Sequence, residues 1–187
     1  MSTWEGLTPP YSTIVVDPPW HYDTVNPPNP GLAGHIGTPV GATALPYSSM
    51  TVQDIQALPV GALAAVDARV FLWVTNRYLR DAWAVVANWG FTVAGRVFVW
   101  CKAPMGTANV TTEFFLIGRR GTPPPLPWHN STWFNWKRQH HAHSVKPAEF
   151  YDLVEAWSPG PYVELFARQP RLGWDHWGYG VEAQHAS

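Results

Sequence analysis

A mostly parallel, doubly wound α/β sheet is the fold this chain predicts, and three observations predict it. Strand-like apolar runs alternate with segments of helical period, the pattern of βαβ units. Two neighbouring runs, 91–101 and 112–118, have no helical segment between them and read as an antiparallel hairpin region. A length of 187 residues with 46% hydrophobic residues suits one α/β domain, taken over 1–187, with a sizeable core.

The first run, TIVVD at 13–17, is rich in β-branched residues and reads as a buried strand. Residues 21–48 are rich in Pro and Gly without apolar period and read as a long loop. Thr51 with Asp54 resembles a capping box that opens a short helix through Leu58. RVFLWVT at 69–75 is a second strand. Leu79, Ala82, Trp83 and Val86 share one face of a helix over 77–89, which Gly90 stops. The hairpin strands follow, and then a second loop-like stretch at 119–146. Pro147 suits the first turn of a helix over 147–157, with Phe150, Val154 and Trp157 at helical spacing. Ser158-Pro159-Gly160 ends it, and YVELF at 162–166 is a fifth strand.

Composition narrows the function classes. A net charge of −1 gives no global basic field, and a single cysteine, Cys101, excludes an intramolecular disulfide framework and fits a reducing cytoplasm. The first twelve residues lack a basic start and an apolar run, so no secretory signal is expected, and no apolar stretch is long enough for a membrane span. Twelve tryptophans exceed what one core needs and suggest exposed stacking surfaces. Two loops of this length inside one domain suggest function or disorder. In the second, no Asp or Glu occurs between Glu113 and Glu149, whereas Arg119, Arg120, Lys137, Arg138 and Lys146 do. His129, His140, His141 and His143 lie there with Trp128, Trp133, Phe134 and Trp136. Cations for phosphates and rings for bases suit a single-stranded or extruded nucleotide. The plainer alternative is a solvated loop whose tryptophans cover the core.

The stretch IVVDPPW at 14–20 carries the chemistry. Ligands of open α/β sheets bind beyond the carboxyl ends of the strands, and Asp17 is at such an end. Pro18 and Pro19 have fixed φ and no N–H, which makes their carbonyls rigid, unpaired acceptors. Asp17 with the Pro18 carbonyl offers two acceptors, and Trp20 a stacking wall, to a planar amine such as the exocyclic NH2 of a base. Acceptors that favour the pyramidal amine strengthen as positive charge develops on nitrogen, so they act in the transition state. A proline-rigid turn with an ordinary structural Asp is the alternative.

Asp17-Pro18-Pro19-Trp20 resembles the catalytic tetrapeptide of the DPPW-type (beta-class) N6-adenine methyltransferases, the family of the mRNA N6-adenosine methyltransferase catalytic subunit and its bacterial and phage relatives. PYSSMT (46–51), FLWVTN (71–76), Asn109 with Glu113 before FFLIGRRG, HSVKP (143–147), SPGPYVELFAR (158–168) and GWDHWG (173–178) occur in the order that family shows, over residues 13 to 182. The resemblance implies a Rossmann-like fold, a circularly permuted motif order and S-adenosylmethionine as cofactor.

It also implies roles. Asp17, Pro18, Pro19 and Trp20 are the candidate catalytic residues. Asp17, Lys146, Glu164, Arg168, Gln169, Tyr179 and Gly180 are the candidate cofactor contacts. Lys146 precedes a helix start, where free N–H groups independently favour an anion such as the cofactor carboxylate. Glu164, in a buried strand, is expected to pair with Arg168. Trp20, Tyr22, Asn76, Arg119, Arg120, Lys137, Arg138 and His140 are the candidate substrate contacts. Tyr179 stands where the family commonly has Asn and cannot reproduce an amide's paired donor and acceptor. Fewer than fifteen residues precede the first strand, which predicts a minimal enzyme or one that works with a second subunit, as homodimer or heterodimer. No metal is expected at His140, His141 and His143, since methyl transfer from a sulfonium needs no Lewis acid. The expected activity is N6 methylation of adenine in nucleic acid in the cytoplasm. DNA is favoured on the compact, phage- or bacterial-like architecture, with RNA adenosine or a catalytically silent nucleic-acid-binding partner as alternatives.

Overall fold

The computed structural model describes residues 4–21, 49–102, 112–128, 131–137 and 145–178. Its strands are β1 (Tyr11–Val16), β2 (Ala64–Val74), β3 (Thr92–Cys101), β4 (Thr112–Arg120), β5 (Trp133–Phe134), β6 (Tyr162–Leu165) and β7 (Trp174–Trp177). Its α-helices are α1 (Val52–Ala57), α2 (Ala82–Asn88) and α3 (Ala148–Trp157). The described strands form one sheet in the order β5-β3-β4-β2-β1-β6-β7. β4 is antiparallel to both β2 and β3, and the remaining pairs are parallel.

Two of these strands lie outside the five expected. β5 sits within the stretch read as loop, and its two residues add to the edge of β3. β7 is formed by WDHW, whose Trp174 and His176 are buried and whose intervening residues are half-buried. The helix expected over 77–89 starts later, because Asn76–Tyr78 form a 3-10 turn ahead of α2. The expected capping box is present: Thr51 Oγ1 accepts from the Asp54 N–H, and the Asp54 carboxylate accepts from the Thr51 N–H.

Strand alternation divides the core into two layers. Ile14, Val16, Val70, Leu72, Val163 and Leu165 face α1 and α2, whereas Val15, Phe71, Trp73, Phe115 and Trp100 face α3. Most of the tryptophans serve these layers. Trp4, Trp20, Trp73, Trp89, Trp100, Trp157 and Trp174 are buried, while Trp128 and Trp133 are exposed among the described residues. Burying an aromatic side chain contributes about 1.5–3 kcal/mol, which makes such a core a dominant source of stability. The surplus read as stacking surface is thus largely core.

The sheet also fixes where a ligand can bind. β1 connects to β2 on one side and pairs with β6 on the other, so chain direction diverges at β1 and β6. The crevice outside the carboxyl ends of those strands is the expected binding place.

Candidate active site

Parity along the strands builds the site. Val15 faces α3, so Asp17, two residues on, points to the same side just beyond the strand. Glu164 is opposite Val15 in the β1–β6 register and shares that face. Phe115 and Trp100 face α3 too, so Glu113 and Lys102 extend that layer at the same end of the sheet. Lys146 enters from the residues just before α3.

These side chains form an alternating chain of charge. Lys146 Nζ lies 2.7 Å from Asp17 Oδ2 and 3.1 Å from Glu113 Oε2, and Glu113 Oε1 also accepts from Lys102. The Lys146 ammonium sits 4.9 Å from the centroid of the Trp73 ring beneath it. Burial pushes the Asp17 carboxyl above its ordinary range; Lys146 opposes this and Glu113 adds to it. Burial acts to raise Glu113 as well, but Lys146 and Lys102 outweigh it and hold that carboxyl low. Lys146 is raised despite its burial, because two carboxylates face it. The ammonium is therefore charged, and Asp17 is a strong acceptor whose Oδ1 has no hydrogen-bond donor among the described residues.

A hollow opens beside this chain, lined by Asp17, Lys146, Tyr151, Glu164, Arg168 and Gln169 together with Val145, Ala148, Pro170 and Arg171. Glu164 is buried and accepts a 2.7 Å hydrogen bond from the Tyr151 hydroxyl. Burial raises its carboxyl to about 7, with Tyr151 opposing the shift. Phe166 follows β6 at φ 66, and among the described residues it is the non-glycine with positive φ. That left-handed turn sends Arg168 and Gln169 over the hollow, a bend for which glycine is the usual residue.

The structure corrects several expectations. The Pro18 and Pro19 carbonyls are not unpaired: they accept the Trp20 and Met50 N–H groups, each at 2.8 Å, and retain one lone pair apiece. Trp20 is not a free wall. It is 3% exposed, donates from Nε1 to the Trp73 carbonyl at 3.0 Å and stacks on Tyr78, whose hydroxyl donates to the His21 carbonyl. Lys146 is already held by two carboxylates, which leaves one of its three N–H donors for a further anion. Glu164 takes its hydrogen bond from Tyr151, and Arg168 acts on it as a lesser, through-space charge.

Arg119 and Arg120 are carried away from the site. Arg120 is opposite Ala68, and Val16 is opposite Leu72, four residues further up β2, or roughly 13 Å along the strand. The Arg120 guanidinium donates to the Gly61 carbonyl. Asn76 does lie at the site's end of the sheet, where its amide donates to the Thr112 carbonyl and hydroxyl. Lys137 is exposed beyond β5 at that same end. Tyr22, Arg138, His140, Tyr179 and Gly180 lie outside the described residues, as do Asn109 and the remaining loop histidines.

Glu113 is named in the sequence only as part of a motif, without a role, and Lys102 and Tyr151 are not named there. The signal for the first two was the period of two in TEFFLIG and FVWCK, which sets a carboxylate and an ammonium one step beyond a buried aromatic layer. Tyr151 had a weaker one, the residue beside Phe150 on the helix that Lys146 precedes.

Comparison with known proteins places the chain among relatives. The chain is 28% identical over 183 residues to the Type II methyltransferase M.MunI of Mycoplasma sp, covering 91% of this chain and 78% of that one. It is 29% identical to the human N(6)-adenine-specific methyltransferase METTL4, covering 91% of this chain but 37% of the relative. It is 30% identical to the N6-methyladenosine RNA methyltransferase MTA1 of Pyricularia oryzae, covering 92% and 47%. Residues 11–180 match the MT-A70 family as a whole, and the chain belongs to that family of N6-adenine methyltransferases, whose methyl donor is S-adenosylmethionine.

Proposed function

We propose that this chain methylates the exocyclic N6 amine of adenine in DNA, with Asp17 as the residue that holds the amine. The observation that carries the reading is the Asp17 carboxylate on the lining of the hollow, fixed through Oδ2 by Lys146 and with Oδ1 left to accept. The same lining fits the methyl donor. Asp17 and Glu164 offer carboxylate oxygens to an ammonium and to hydroxyls, and Lys146, Arg168 and Gln169 offer donors to a carboxylate. A zwitterion with a sugar attached needs that mixture. When bound, S-adenosylmethionine supplies an electrophilic methyl group on a sulfonium.

The chain's own residues supply the rest. Asp17 Oδ1 and the second lone pair of the Pro18 carbonyl accept the two amine N–H groups and draw the nitrogen towards its pyramidal form. Raised by burial, the carboxylate is a stronger acceptor than an exposed one, and its bond strengthens as charge grows on nitrogen. Lys146 keeps the carboxylate oriented and, with Glu113 and Lys102, balances the charge around it. Trp20 serves the site from below, locking the turn through Trp73 and Tyr78.

DNA is favoured because the chain covers 78% of the Type II methyltransferase M.MunI, against 37% and 47% of METTL4 and MTA1. In duplex DNA the target base must leave the stack, and in this reading the exposed Lys137 and Asn76 at this end would meet the flanking strand. The RNA reading has its own support in the 30% identity to MTA1. Incubation with labelled S-adenosylmethionine and matched DNA and RNA oligonucleotides separates the two. Label on DNA at tenfold or greater excess is the expected result, and label on RNA alone refutes the DNA reading.

A further inference from the structure

One wall of the hollow is a short strap, 166–171, and the structure ties down both of its ends. At the first end Phe166 is held in its left-handed turn. Its ring packs edge-on against Trp177 at 5.3 Å, and the next N–H, of Ala167, donates to the Trp177 carbonyl at 3.1 Å. At the other end Arg171 is held four ways. Its Nε donates to Glu155 at 2.9 Å and its Nη2 to Asp152 at 2.8 Å, its guanidinium lies 5.3 Å from the centroid of the Tyr151 ring, and its backbone N–H donates to His176 Nε2 at 2.7 Å. Arg168, Gln169 and Pro170 span the hollow between these anchors.

The His176 contact fixes a tautomer. An Nε2 that accepts is unprotonated, so the ring proton is on Nδ1, and the ring is neutral. His176 is 3% exposed, and its Nδ1 has no partner among the described residues. Burial lowers its pKa, while Asp175 pulls it upward. The charged and titratable groups around it are Asp175 on its own strand, Glu164 opposite it on β6, and Arg171 with Asp152, Glu155 and Tyr151 of α3. A buried donor left unsatisfied carries a desolvation cost, and here that cost accompanies a ring committed to one backbone N–H.

We propose that Arg171 and His176 are positioning residues for the cofactor, acting through the strap by clamping it to α3 and β7. The inference rests on the reading of the hollow as the S-adenosylmethionine site. Without the clamp, Arg168 and Gln169 lose the fixed backbone that aims them, and binding weakens while the chemistry at Asp17 does not change. Displacement of a positioning group by an ångström is enough to cost one to two orders of magnitude.

The test titrates S-adenosylhomocysteine into the full chain by calorimetry and measures the KM for S-adenosylmethionine, the KM for oligonucleotide and kcat. Arg171→Met should raise Kd and the cofactor KM about tenfold, with kcat and the oligonucleotide KM within twofold. Asp152→Asn with Glu155→Gln should raise them several-fold, although neither residue lines the hollow. His176→Leu should match Arg171→Met, and His176→Gln, which restores a non-titrating acceptor at the same reach, should return Kd to within twofold of the parent. If His176→Leu does not fold, the Arg171 and acid variants decide alone. Unchanged Kd in Arg171→Met overturns the proposal, as does an effect of Arg171→Met that the acid variant does not share, since Arg171 would then be a ligand. A parent chain that binds no S-adenosylhomocysteine sinks the cofactor reading itself, and the inference with it.

Discussion

Glu164 illustrates how one buried carboxyl links the site to pH. Its pKa is raised to about 7 from an ordinary 4.5, so between those values the native state holds a proton that the unfolded state has lost. Stability from this group is therefore complete below about pH 4.5 and falls as pH rises through 7. The loss is on the order of 3 kcal/mol. Glu164→Gln keeps an acceptor for Tyr151 and carries no charge, so the parent and variant should converge near pH 4.5 and diverge by that amount at pH 8. Urea denaturation at the two pH values checks this, and equal differences at both would contradict it. At this scale the sequence was partly legible. Asp17 could be placed because a strand ending in DPPW sets both position and direction. The unpaired carbonyls could not, because the N–H of Met50, which takes up the Pro19 carbonyl, lies thirty-one positions away.

The elements matter through the charges they bring together. Lys146 stands between Asp17, just beyond β1, and Glu113 of β4, so Lys146→Met leaves two half-buried carboxylates facing each other's field. Removal of one partner from a buried ion pair costs about 3–5 kcal/mol. Adding Asp17→Asn should recover part of that loss, and a double-mutant cycle by denaturation reads the coupling; strict additivity would mean no contact. Gly178 carries a second element-scale test. A Cβ there would lie 2.4 Å from the Ala167 carbonyl oxygen and 2.5 Å from its nitrogen, both backbone atoms that cannot swing aside. Gly178→Ala should cost about 1–3 kcal/mol in thermal or urea unfolding and loosen the turn at Phe166; an unchanged midpoint would show that the turn yields freely. Helix and strand periods were readable for β1, β2, β3, β4 and α3. β7 was not, because WDHW is too short to establish a period and its pairing with β6 is a tertiary choice. Within the cation-rich stretch, Arg119 and Arg120 extend a strand that runs away from the site, so for these two direction in the sheet overrides proximity in sequence.

Across the molecule, one sheet gathers at its carboxyl end a carboxylate, the lysine that fixes it, and a strap that walls the hollow. The family motifs made this legible in outline, since their order predicted a permuted Rossmann-like arrangement. The charge chain Asp17–Lys146–Glu113–Lys102 emerged only from register, through β1 against β2, β2 against β4, and β4 against β3. The central claim is that this end of the sheet makes an adenine amine nucleophilic through Asp17. Its most direct test is nucleoside mass spectrometry on adenine-containing oligonucleotides after incubation with the chain and S-adenosylmethionine, comparing the parent with Asp17→Asn. The account predicts N6-methyladenine as the product of the parent and a fall in its rate of at least about 10²-fold in the variant, with S-adenosylhomocysteine still bound. Methyl groups on another atom, or an Asp17→Asn rate within a few-fold of the parent, would contradict it.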